Sequence, residues 1–305
     1  MAIAGDLPRR RWRVPTGALP YLLSLPALLV CIGILIPFAT AAWYSLQRYR
    51  LSQPWNRGMN WGENYLNFLS DPGFWNTLQV SLTYAFLTVG IELVLGLGIA
   101  LLLKKSTRLN NFISIMLLMP LMTAPALAAL MWKLMTNANF GILSYFAASI
   151  GLEDFRWGSD PSTALFTVIL VDVWVYTPFI MILLLAGLRS LPTQPFEAAE
   201  LDGVPRFQQF WRITLPMLMP YILTASLFRL LDSIQQFDII YALTQGGPGD
   251  TLMVFQVEAY LNFFQSTNIG RSAALMMILW AITFFLSNLF VKNWLRLRAR
   301  ARGEI

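Results

Sequence analysis

Long uncharged stretches alternate with short charged segments along this chain. A helix needs about 20 consecutive apolar residues to cross a bilayer. The stretches that meet this length are Val14 to Gln47, 72–103, Leu109 to Trp132, 161–188 and Ser272 to Val291. The second contains one charge, Glu92, and the fourth contains one charge, Asp172. The pattern predicts an all-α, polytopic membrane protein.

A sixth candidate span, Met219–Thr244, is apolar but contains three charged residues, Arg229, Asp232 and Asp238. Cytoplasmic segments of membrane proteins are rich in Lys and Arg. The cationic clusters are Arg9, Arg10, Arg11 and Arg13; Lys104, Lys105 and Arg108; Arg189, Arg206 and Arg212; and Lys292, Arg296, Arg298, Arg300 and Arg302. These four clusters lie on the same side of the membrane only if Met219–Thr244 also crosses the membrane. We therefore expect six transmembrane helices in a bacterial inner membrane, with both termini in the cytoplasm.

The composition supports a membrane protein and excludes several kinds of chemistry. Hydrophobic residues make up 56% and charged residues 12%, about half the charged content of soluble proteins. The chain has no histidine, which excludes histidine acid–base catalysis and histidine metal sites. Cys31 is the only cysteine, so no disulfide forms within the chain. With these residues missing, we expect no metal site and no catalytic residues. We also expect no nucleic-acid partner, because the cytoplasmic clusters explain the net charge of +6.

The first span has one alternative interpretation, a cleaved signal peptide. The arginines before it resemble the start of a signal peptide, and Ala39-Thr40-Ala41 resembles a cleavage site. The apolar stretch before that site is too long for a signal peptide, so we expect an uncleaved span. The predicted domains are an N-terminal cytoplasmic tail (1–17), a six-span permease domain (18–292) with a cytoplasmic loop at 189–216, and a C-terminal cytoplasmic tail (293–305).

The loop between the fourth and fifth spans, residues 191–203, reads LPTQPFEAAELDG and predicts a short helix outside the membrane. Thr193 suits the N-cap, and Pro195 suits a first turn, where no intrahelical donor is needed. Glu197 and the two alanines after it favour helix. Gly203 suits the left-handed residue that ends many helices. These residue types alone favour an ordinary amphipathic helix on the bilayer surface.

The spacing of this loop favours a more specific interpretation. The order Glu-Ala-Ala, three residues, Gly, nine residues, Ile-x-Leu-Pro closely resembles the EAA loop of ABC importer permeases. The resemblance implies a coupling site for an ATPase subunit at Glu197, Ala198, Ala199, Asp202, Gly203, Ile213, Leu215 and Pro216. One departure is Val204, which stands where Ala is usual and is a minor packing change.

Two further segments resemble the carbohydrate-uptake branch of that family, the maltose and glycerol-3-phosphate type. They are 119–141, around Met119-Pro120 and Pro125, and 237–249, which ends in Gly-Gly-Pro-Gly. The resemblance covers roughly residues 20–292. The chain lacks the additional N-terminal spans and the large periplasmic insertion of the biggest maltose-type subunits. It is therefore similar to the six-span member of a heterodimeric pair.

The resemblance implies a set of partners as well as a site. They are a second permease subunit, two ATPase subunits, an extracytoplasmic solute-binding protein, membrane lipid and a carbohydrate or polyol substrate. The sequence contains no G-x-x-x-x-G-K-[ST] motif, so ATP and Mg²⁺ are expected in the ATPase subunits and no cofactor is expected in this chain.

Ionisable residues inside a bilayer cost free energy and face the protein interior or a wet cavity. Arg229, Asp232 and Gln236 have the spacing of one helical face. We expect a hydrophilic substrate path formed by Asp172, Tyr176, Arg229, Asp232, Gln235, Gln236 and Asp238. The structural alternatives are an internal Arg229–Asp232 pair, a helix-capping role for Asp238, and a hydrogen bond from Glu92 to a neighbouring helix.

The sequence therefore predicts the transmembrane permease subunit of an ATP-driven, binding-protein-dependent carbohydrate importer. An ion-coupled secondary transporter is the main alternative, because the intramembrane acids are typical of proton or sodium sites. A membrane-embedded enzyme is a second alternative, but the sequence shows no pairing of a nucleophile with a base.

Overall fold

The computed structural model describes residues 19–301, and the predicted N-terminal tail with its four arginines lies outside them. This part of the chain is a bundle of helices with one short antiparallel hairpin, β1 (Gln47–Arg48) and β2 (Gly58–Met59). The helices are α1 (Leu19–Ser45), α2 (Glu63–Ser70), α3 (Pro72–Leu102), α4 (Arg108–Leu117), α5 (Pro125–Met135), α6 (Ile142–Ser149), α7 (Pro161–Ser190), α8 (Gln194–Leu201), α9 (Arg206–Gln209), α10 (Leu215–Ile234), α11 (Asp238–Thr244), α12 (Phe255–Phe264) and α13 (Ile269–Ala301). Short 3-10 turns lie at Pro54–Asn56, Pro120–Met122 and Trp157–Ser159, and a π-helical turn lies at Phe210–Thr214.

Five helical segments between residues 19 and 301 are long and apolar enough to cross a membrane. They are Leu23–Ser45, Pro72–Leu102, Pro161–Ser190, Arg206–Ile234 and Ile269–Arg296. The all-α, multi-pass membrane fold is therefore confirmed. The last helix continues to Ala301, so the first part of the predicted C-terminal tail is helical.

The third predicted span is not one helix. The apolar stretch from Leu109 to Trp132 is divided between α4 and α5, which a 3-10 turn separates. Pro120 lies at the start of that turn and Pro125 at the start of α5. Proline has no backbone N–H and is tolerated in the first turn of a helix but not in its interior, which explains the break.

The candidate span Met219–Thr244, which is the fifth along the chain, also differs from the prediction. The helix that crosses here starts earlier, at Arg206, and ends at Ile234, so Met219–Thr244 is not continuous. The break contains neither proline nor glycine. The Gln236 side chain instead accepts a hydrogen bond from the Phe237 backbone N–H (3.2 Å), which offers the backbone an alternative to the helical bond.

The centre of the bundle is formed by α3 and α7, which pack closely and run in the same direction. At Gly96 a Cβ atom would lie 2.8 Å from Ile180 Cγ2, so the two helices approach each other too closely here for a larger residue. The guanidinium of Arg189 donates to the Leu103 carbonyl (3.1 Å), which places the C-terminal ends of both helices together. The chain between them must therefore return to the opposite end, and this is consistent with a sixth crossing through α4 and α5.

The outermost helix is α1, which packs on α13 and otherwise presents apolar side chains. Leu35 is 60% exposed and Ile36 is 61% exposed. Both lie in an apolar helix without a single charge, as expected for a surface that faces lipid or another membrane subunit.

Candidate functional site

A buried ion cluster joins three spans near the middle of the sequence-predicted path. The Arg229 side chain on α10 is 1% exposed and its guanidinium contacts three carboxylates. Nη2 lies 2.5 Å from Asp172 Oδ2 on α7 and 3.0 Å from Glu92 Oε1 on α3. Nη1 lies 2.7 Å from Asp232 Oδ2, one turn along α10. Nε lies 2.8 Å from Glu92 Oε2, a charge contact that is not aligned as a hydrogen bond.

Two further predicted path residues complete this cluster. The Arg229 guanidinium carbon lies 3.9 Å from the centroid of the Tyr176 ring, a cation–π contact. Gln236 Nε2 donates to Asp172 Oδ1 at 3.2 Å, although Gln236 follows the end of α10. Five of the seven predicted path residues are thus brought together, but the single helical face expected for Arg229, Asp232 and Gln236 is wrong because the helix ends before Gln236.

The arrangement favours an internal structural role for Arg229 and Asp172 in this chain. Both are almost fully buried, and the predicted Arg229–Asp232 pair is present. Asp232 is different, because its side chain is 57% exposed and borders the cluster from outside. Solvent does not reach the guanidinium of Arg229, and the carboxylates around it balance its charge. Because these carboxylates lie on different helices, the charge-assisted hydrogen bonds hold α3, α7 and α10 in one register.

Two predicted path residues lie outside the cluster. The exposed Gln235 donates from Nε2 to the Leu231 carbonyl at 3.1 Å. Asp238 does not cap α10, because it lies in the first turn of α11 with an exposed side chain. A carboxylate in that position is stabilised by the helix dipole.

Sequence reasoning identified Glu92 only as a hydrogen-bonding residue and not as a partner of Arg229. The expected hydrogen bond between Glu92 and a neighbouring helix is present. Its donor, the guanidinium of Arg229 on α10, was not identified from the sequence. A signal existed in the sequence, because Glu92 is the only charge in its span and a buried acid in a membrane requires a partner.

The predicted loop helix is α8, a helix of eight residues that starts after Thr193. Thr193 occupies the N-cap position but its side chain makes no capping hydrogen bond. Gly203 has the predicted left-handed conformation, with φ +69°. The Val204 N–H donates to the Ala199 carbonyl (2.9 Å) and the Gly203 N–H to the Glu200 carbonyl (3.1 Å), the two bonds of a Schellman motif.

One face of α8 packs on the bundle and the other is exposed. Ala199 is 6% exposed, and the Phe196 ring lies under the Lys104 ammonium, 4.6 Å from the ring centroid. On the other face Glu197 and Ala198 are exposed, and Leu201 is 89% exposed. The exposed face therefore carries one apolar side chain next to acidic groups.

The rest of the predicted loop site leads directly into the crossing helix. Asp202 is the C-cap of α8, Ile213 lies in the π-helical turn, and Leu215 and Pro216 begin α10. The helical segment Arg206–Ile234 is continuous. It joins the loop to Arg229 over roughly 35 Å, at about 1.5 Å per residue. The loop and the buried cluster are therefore joined by one continuous helical segment.

No metal site is built into the described part of the chain. Within residues 19–301 no group of three or more His, Cys, Asp or Glu side chains could hold a metal ion. The carboxylates of the ion cluster contact a guanidinium instead, which a cation would have to displace.

Comparison with known proteins identifies the family and agrees with the fold. Residues 92–301 match the family model described as "Binding-protein-dependent transport system inner membrane component". The chain is 32% identical over 275 residues to the trehalose/maltose transport system permease protein MalF of Thermococcus litoralis, which covers 90% of this chain and 92% of that protein. It is 30% identical over 279 residues to the sn-glycerol-3-phosphate transport system permease protein UgpA of Pectobacterium atrosepticum, covering 88% and 91%.

A solved structure shows the same fold. It is a chain of a bacterial ABC transporter involved in the import of the acidic polysaccharide alginate, with a TM-score of 0.79 and 19% identity. The superposition covers 91% of this chain and 95% of that chain. Because the family model matches more than half of the sequence, this chain belongs to the binding-protein-dependent transport system inner membrane components, the permeases of ABC importers.

Proposed function

We propose that this chain forms half of the translocation path of an ATP-driven carbohydrate importer. Its relatives are named as permeases for trehalose and maltose, sulfoquinovosyl glycerol and sn-glycerol 3-phosphate, and they match along most of their length. These compounds share a hydroxyl-rich, compact chemistry. A carbohydrate or a related polyol is therefore the substrate class that the comparison supports.

The observation that carries this proposal is the exposed loop helix α8 and its continuous connection to the crossing helix. The exposed Glu197, Ala198 and Leu201 offer a surface to an ATPase subunit. A rigid-body displacement of α8 reaches the path through Arg206–Ile234. ATP hydrolysis takes place in the ATPase subunits, because this sequence has no P-loop.

The partners follow from surfaces that this chain leaves open. A second permease is the other half of the path, and the apolar face of α1 is available to it or to lipid. Two ATPase subunits bind α8 and its counterpart on the second permease. A solute-binding protein delivers substrate on the opposite side, as the related alginate transporter was solved with a "periplasmic protein" bound to alginate pentasaccharide. In this orientation both termini lie in the cytoplasm.

The exposed polar residues beside the ion cluster are the substrate-contacting part of the path. Asp232 and Gln235 present hydrogen-bonding groups at its edge, and Asp238 lies a short distance along the chain. Arg229, Asp172 and Gln236 position the helices that present them. Alternating access then changes the exposure of these side chains from one side of the membrane to the other.

The test is uptake in proteoliposomes that contain this chain, its partner permease, the ATPase subunits and the binding protein. Uptake of labelled maltose or trehalose that requires internal ATP and persists with a protonophore and a sodium ionophore supports the proposal. Uptake that collapses with the ion gradients while ATP is present contradicts it and supports an ion-coupled transporter. Purified chain without its partners is the control and is expected to hydrolyse no ATP.

A further inference from the structure

An apolar crevice lies between α1 and α13, away from the ion cluster. Its volume is about 500 Å³, within the roughly 300–1,000 Å³ found for small-molecule sites. One wall runs from Ile36 to Tyr44 on α1, and the other runs from Ile269 to Met276 on α13. Phe263 of α12 also lines the crevice.

The crevice lies at membrane depth, in the half of the bundle far from α8. Arg271, near the start of α13, binds Asp71 at the start of α3, whereas Lys104 after the end of α3 contacts α8. Helices α1 and α13 both belong to segments that are apolar enough to cross a membrane. The nine residues of the α1 wall extend over about 12 Å, at 1.5 Å per residue. This length is close to the roughly 15 Å of hydrocarbon in one leaflet.

The two aliphatic hydroxyls that line the crevice already have hydrogen-bond acceptors. Thr40 Oγ1 donates to the Ile36 carbonyl at 2.8 Å, and Ser272 Oγ donates to the Ala259 carbonyl at 2.7 Å. A sugar or another polar ligand would give up its hydration here for few new hydrogen bonds. A hydrocarbon chain has no such cost, so the crevice fits an acyl chain.

The rim of the crevice lies at the level of a lipid headgroup. Tyr44 ends the α1 wall, and Trp43 beside it is 55% exposed, as is typical of aromatic residues at the membrane–water interface. Lipid tails are as apolar as the crevice walls, so the walls alone do not select one lipid. Selectivity must therefore come from a contact between the headgroup and the rim.

A positive charge lies at this rim, on the hairpin of β1 and β2. The hairpin is fixed to the start of α13, because Gly270 N donates to the Tyr49 carbonyl at 3.0 Å. Arg57 directly precedes β2, and its guanidinium carbon lies 5.3 Å from the centroid of the Tyr44 ring. The same atom lies 4.1 Å from the centroid of the Tyr49 ring. The two rings therefore hold the guanidinium beside a residue of the crevice wall.

The charge of Arg57 is not balanced by an acidic side chain. Its Nε donates to Gln47 Oε1 at 3.1 Å, and its side chain is exposed. The ion pairs found within residues 19–301 belong to three other arginines, Arg48, Arg229 and Arg271. The terminal nitrogens of Arg57 are thus left to bind an anion, and the planar guanidinium fork matches a phosphate group.

We propose that an anionic glycerophospholipid binds at this site, with one acyl chain in the crevice and its phosphate on Arg57. The chain fills the space between α1 and α13, and the headgroup contact selects the lipid. The bound lipid holds α1, the outermost helix, against the rest of the bundle. The site uses no residue of the ion cluster or of α8, so the inference is independent of the transported substrate.

The test is native mass spectrometry of the full-length chain from micelles that contain phosphatidylglycerol or phosphatidylcholine with the same acyl chains. Wild type is expected to retain phosphatidylglycerol roughly five-fold more strongly, the effect of one arginine near a lipid surface. Arg57→Gln is expected to lose this preference. Ala41→Leu adds a side chain inside the crevice and is expected to lower the retention of both lipids. The matched controls are Arg156→Gln and Ala39→Leu, at exposed positions that do not line the crevice, and both are expected to bind as wild type does.

Two outcomes overturn the proposal. A wild-type preference for phosphatidylglycerol in Arg57→Gln shows that the headgroup does not bind there, and Arg57 is exposed, so this variant decides the point even if Ala41→Leu lowers the unfolding temperature. The same measurement on the chain assembled with its second permease gives the other outcome. A lipid preference that disappears on assembly shows that the second permease, and not a lipid, covers the crevice. Neither result affects ATP-driven uptake, so failure of this inference and failure of the proposed function are distinguishable.

Discussion

The ion cluster and the loop helix α8 use the same kinds of side chain in opposite ways. In the cluster, Arg229 is 1% exposed and contacts three carboxylates of its own chain. In α8, Glu197 is exposed and no ion pair is found for it within residues 19–301. The two regions differ because of burial. A charge inside the membrane must be balanced by another charge within the protein, whereas an exposed charge is solvated and remains available to another subunit.

The comparison separates two contributions to transport. The cluster fixes how three spans pack, so its loss is expected to reduce stability. The loop helix presents a surface, so its loss is expected to reduce coupling while the fold persists. The segment Arg206–Ile234 belongs to both regions and connects them.

The largest expected effect comes from removing the only cation of the cluster. Arg229→Met leaves Glu92 and Asp172 buried without a positive partner, and breaking a buried pair in this way costs about 3–5 kcal/mol. We expect poor membrane yield and a strongly lowered unfolding temperature. Membrane abundance and thermal unfolding in detergent measure this directly.

Glu92→Gln is the matched variant, because it removes one carboxylate and leaves Arg229 with Asp172 and Asp232. Its amide oxygen still accepts from the guanidinium, so we expect a much smaller loss than for Arg229→Met. Equal destabilisation by both variants would contradict an arginine-centred cluster. Wild-type stability of Arg229→Met would contradict the structural role altogether.

The second prediction concerns coupling through α8. Glu197→Lys reverses an exposed charge and touches no internal partner, so we expect normal membrane levels with loss of ATPase binding and of uptake. Gly203→Ala forces a side chain into φ +69°, at about 1–2 kcal/mol, although no atom would clash with its Cβ. Co-purification of the ATPase and an uptake assay measure both effects.

Gly203→Asn is the control for the turn, because asparagine tolerates the left-handed conformation better than alanine does. We expect it to retain more coupling than Gly203→Ala. If Glu197→Lys and Gly203→Ala both keep full ATPase recruitment and full uptake, α8 is only a surface helix and the functional half of the comparison is wrong.

Local features of both regions could be predicted from the sequence. The helix at Gln194–Leu201, the left-handed Gly203 and the Arg229–Asp232 pair each depend on residues within a few positions of one another. Pro120 and Pro125 are local signals of the same kind for the break between α4 and α5, although the apolar pattern around them continues without a charge.

Long-range features could not be predicted in the same way. Arg229 meets Asp172 and Glu92 across 57 and 137 residues, and these contacts depend on how three helices pack. The end of α10 has no proline or glycine that would indicate it in the sequence. It coincides with the contact of Gln236 with Asp172, a residue on another helix.

The third prediction uses the neighbouring glutamines at that helix end. Gln236 is buried and donates to a carboxylate, so Gln236→Ala is expected to cost about 1.5–3 kcal/mol of stability. Gln235 is exposed, so Gln235→Ala is expected to change stability by no more than about 0.5 kcal/mol. If Gln235 lines the path, its loss lowers uptake at normal protein levels.

The measurements are thermal unfolding and the initial rate of sugar uptake for both glutamine variants. Lower stability for Gln236→Ala with lower uptake for Gln235→Ala divides structural from path-facing residues. Wild-type uptake by Gln235→Ala would remove this residue from the path.

A small effect is expected at an ion pair whose exposure lies between that of the buried cluster and that of the exposed α8 surface. Asp71, which precedes α3, accepts from Arg271 Nη2 at 2.7 Å, and the two side chains are 36% and 31% exposed. This hydrogen bond, with that from the Gly73 N–H, lowers the pKa of Asp71 below its usual value of 3.8. A lowered carboxyl pKa stabilises the fold above pH 3.8, and the gain is lost as the pH falls through the lower pKa of the folded state.

Asp71→Asn tests this pair, because the amide oxygen of asparagine can retain the capping bond from Gly73 N–H, whereas its NH2 group cannot accept from Arg271. The charge and the hydrogen bond from Arg271 are therefore lost together, and the cap is kept. Solvent screening limits the expected loss of folding stability at pH 7 to less than about 1 kcal/mol. Arg271 also retains a second acidic partner, because its Nη2 lies 3.8 Å from Glu258 Oε1. The deficit should shrink in high salt and disappear at acidic pH, whereas the deficit of Arg229→Met should resist salt because the buried cluster is not screened. Thermal unfolding of both variants at low and high salt decides the point. A salt-sensitive Arg229→Met deficit would mean that water reaches the cluster, and its difference from the exposed pair would then be one of degree only.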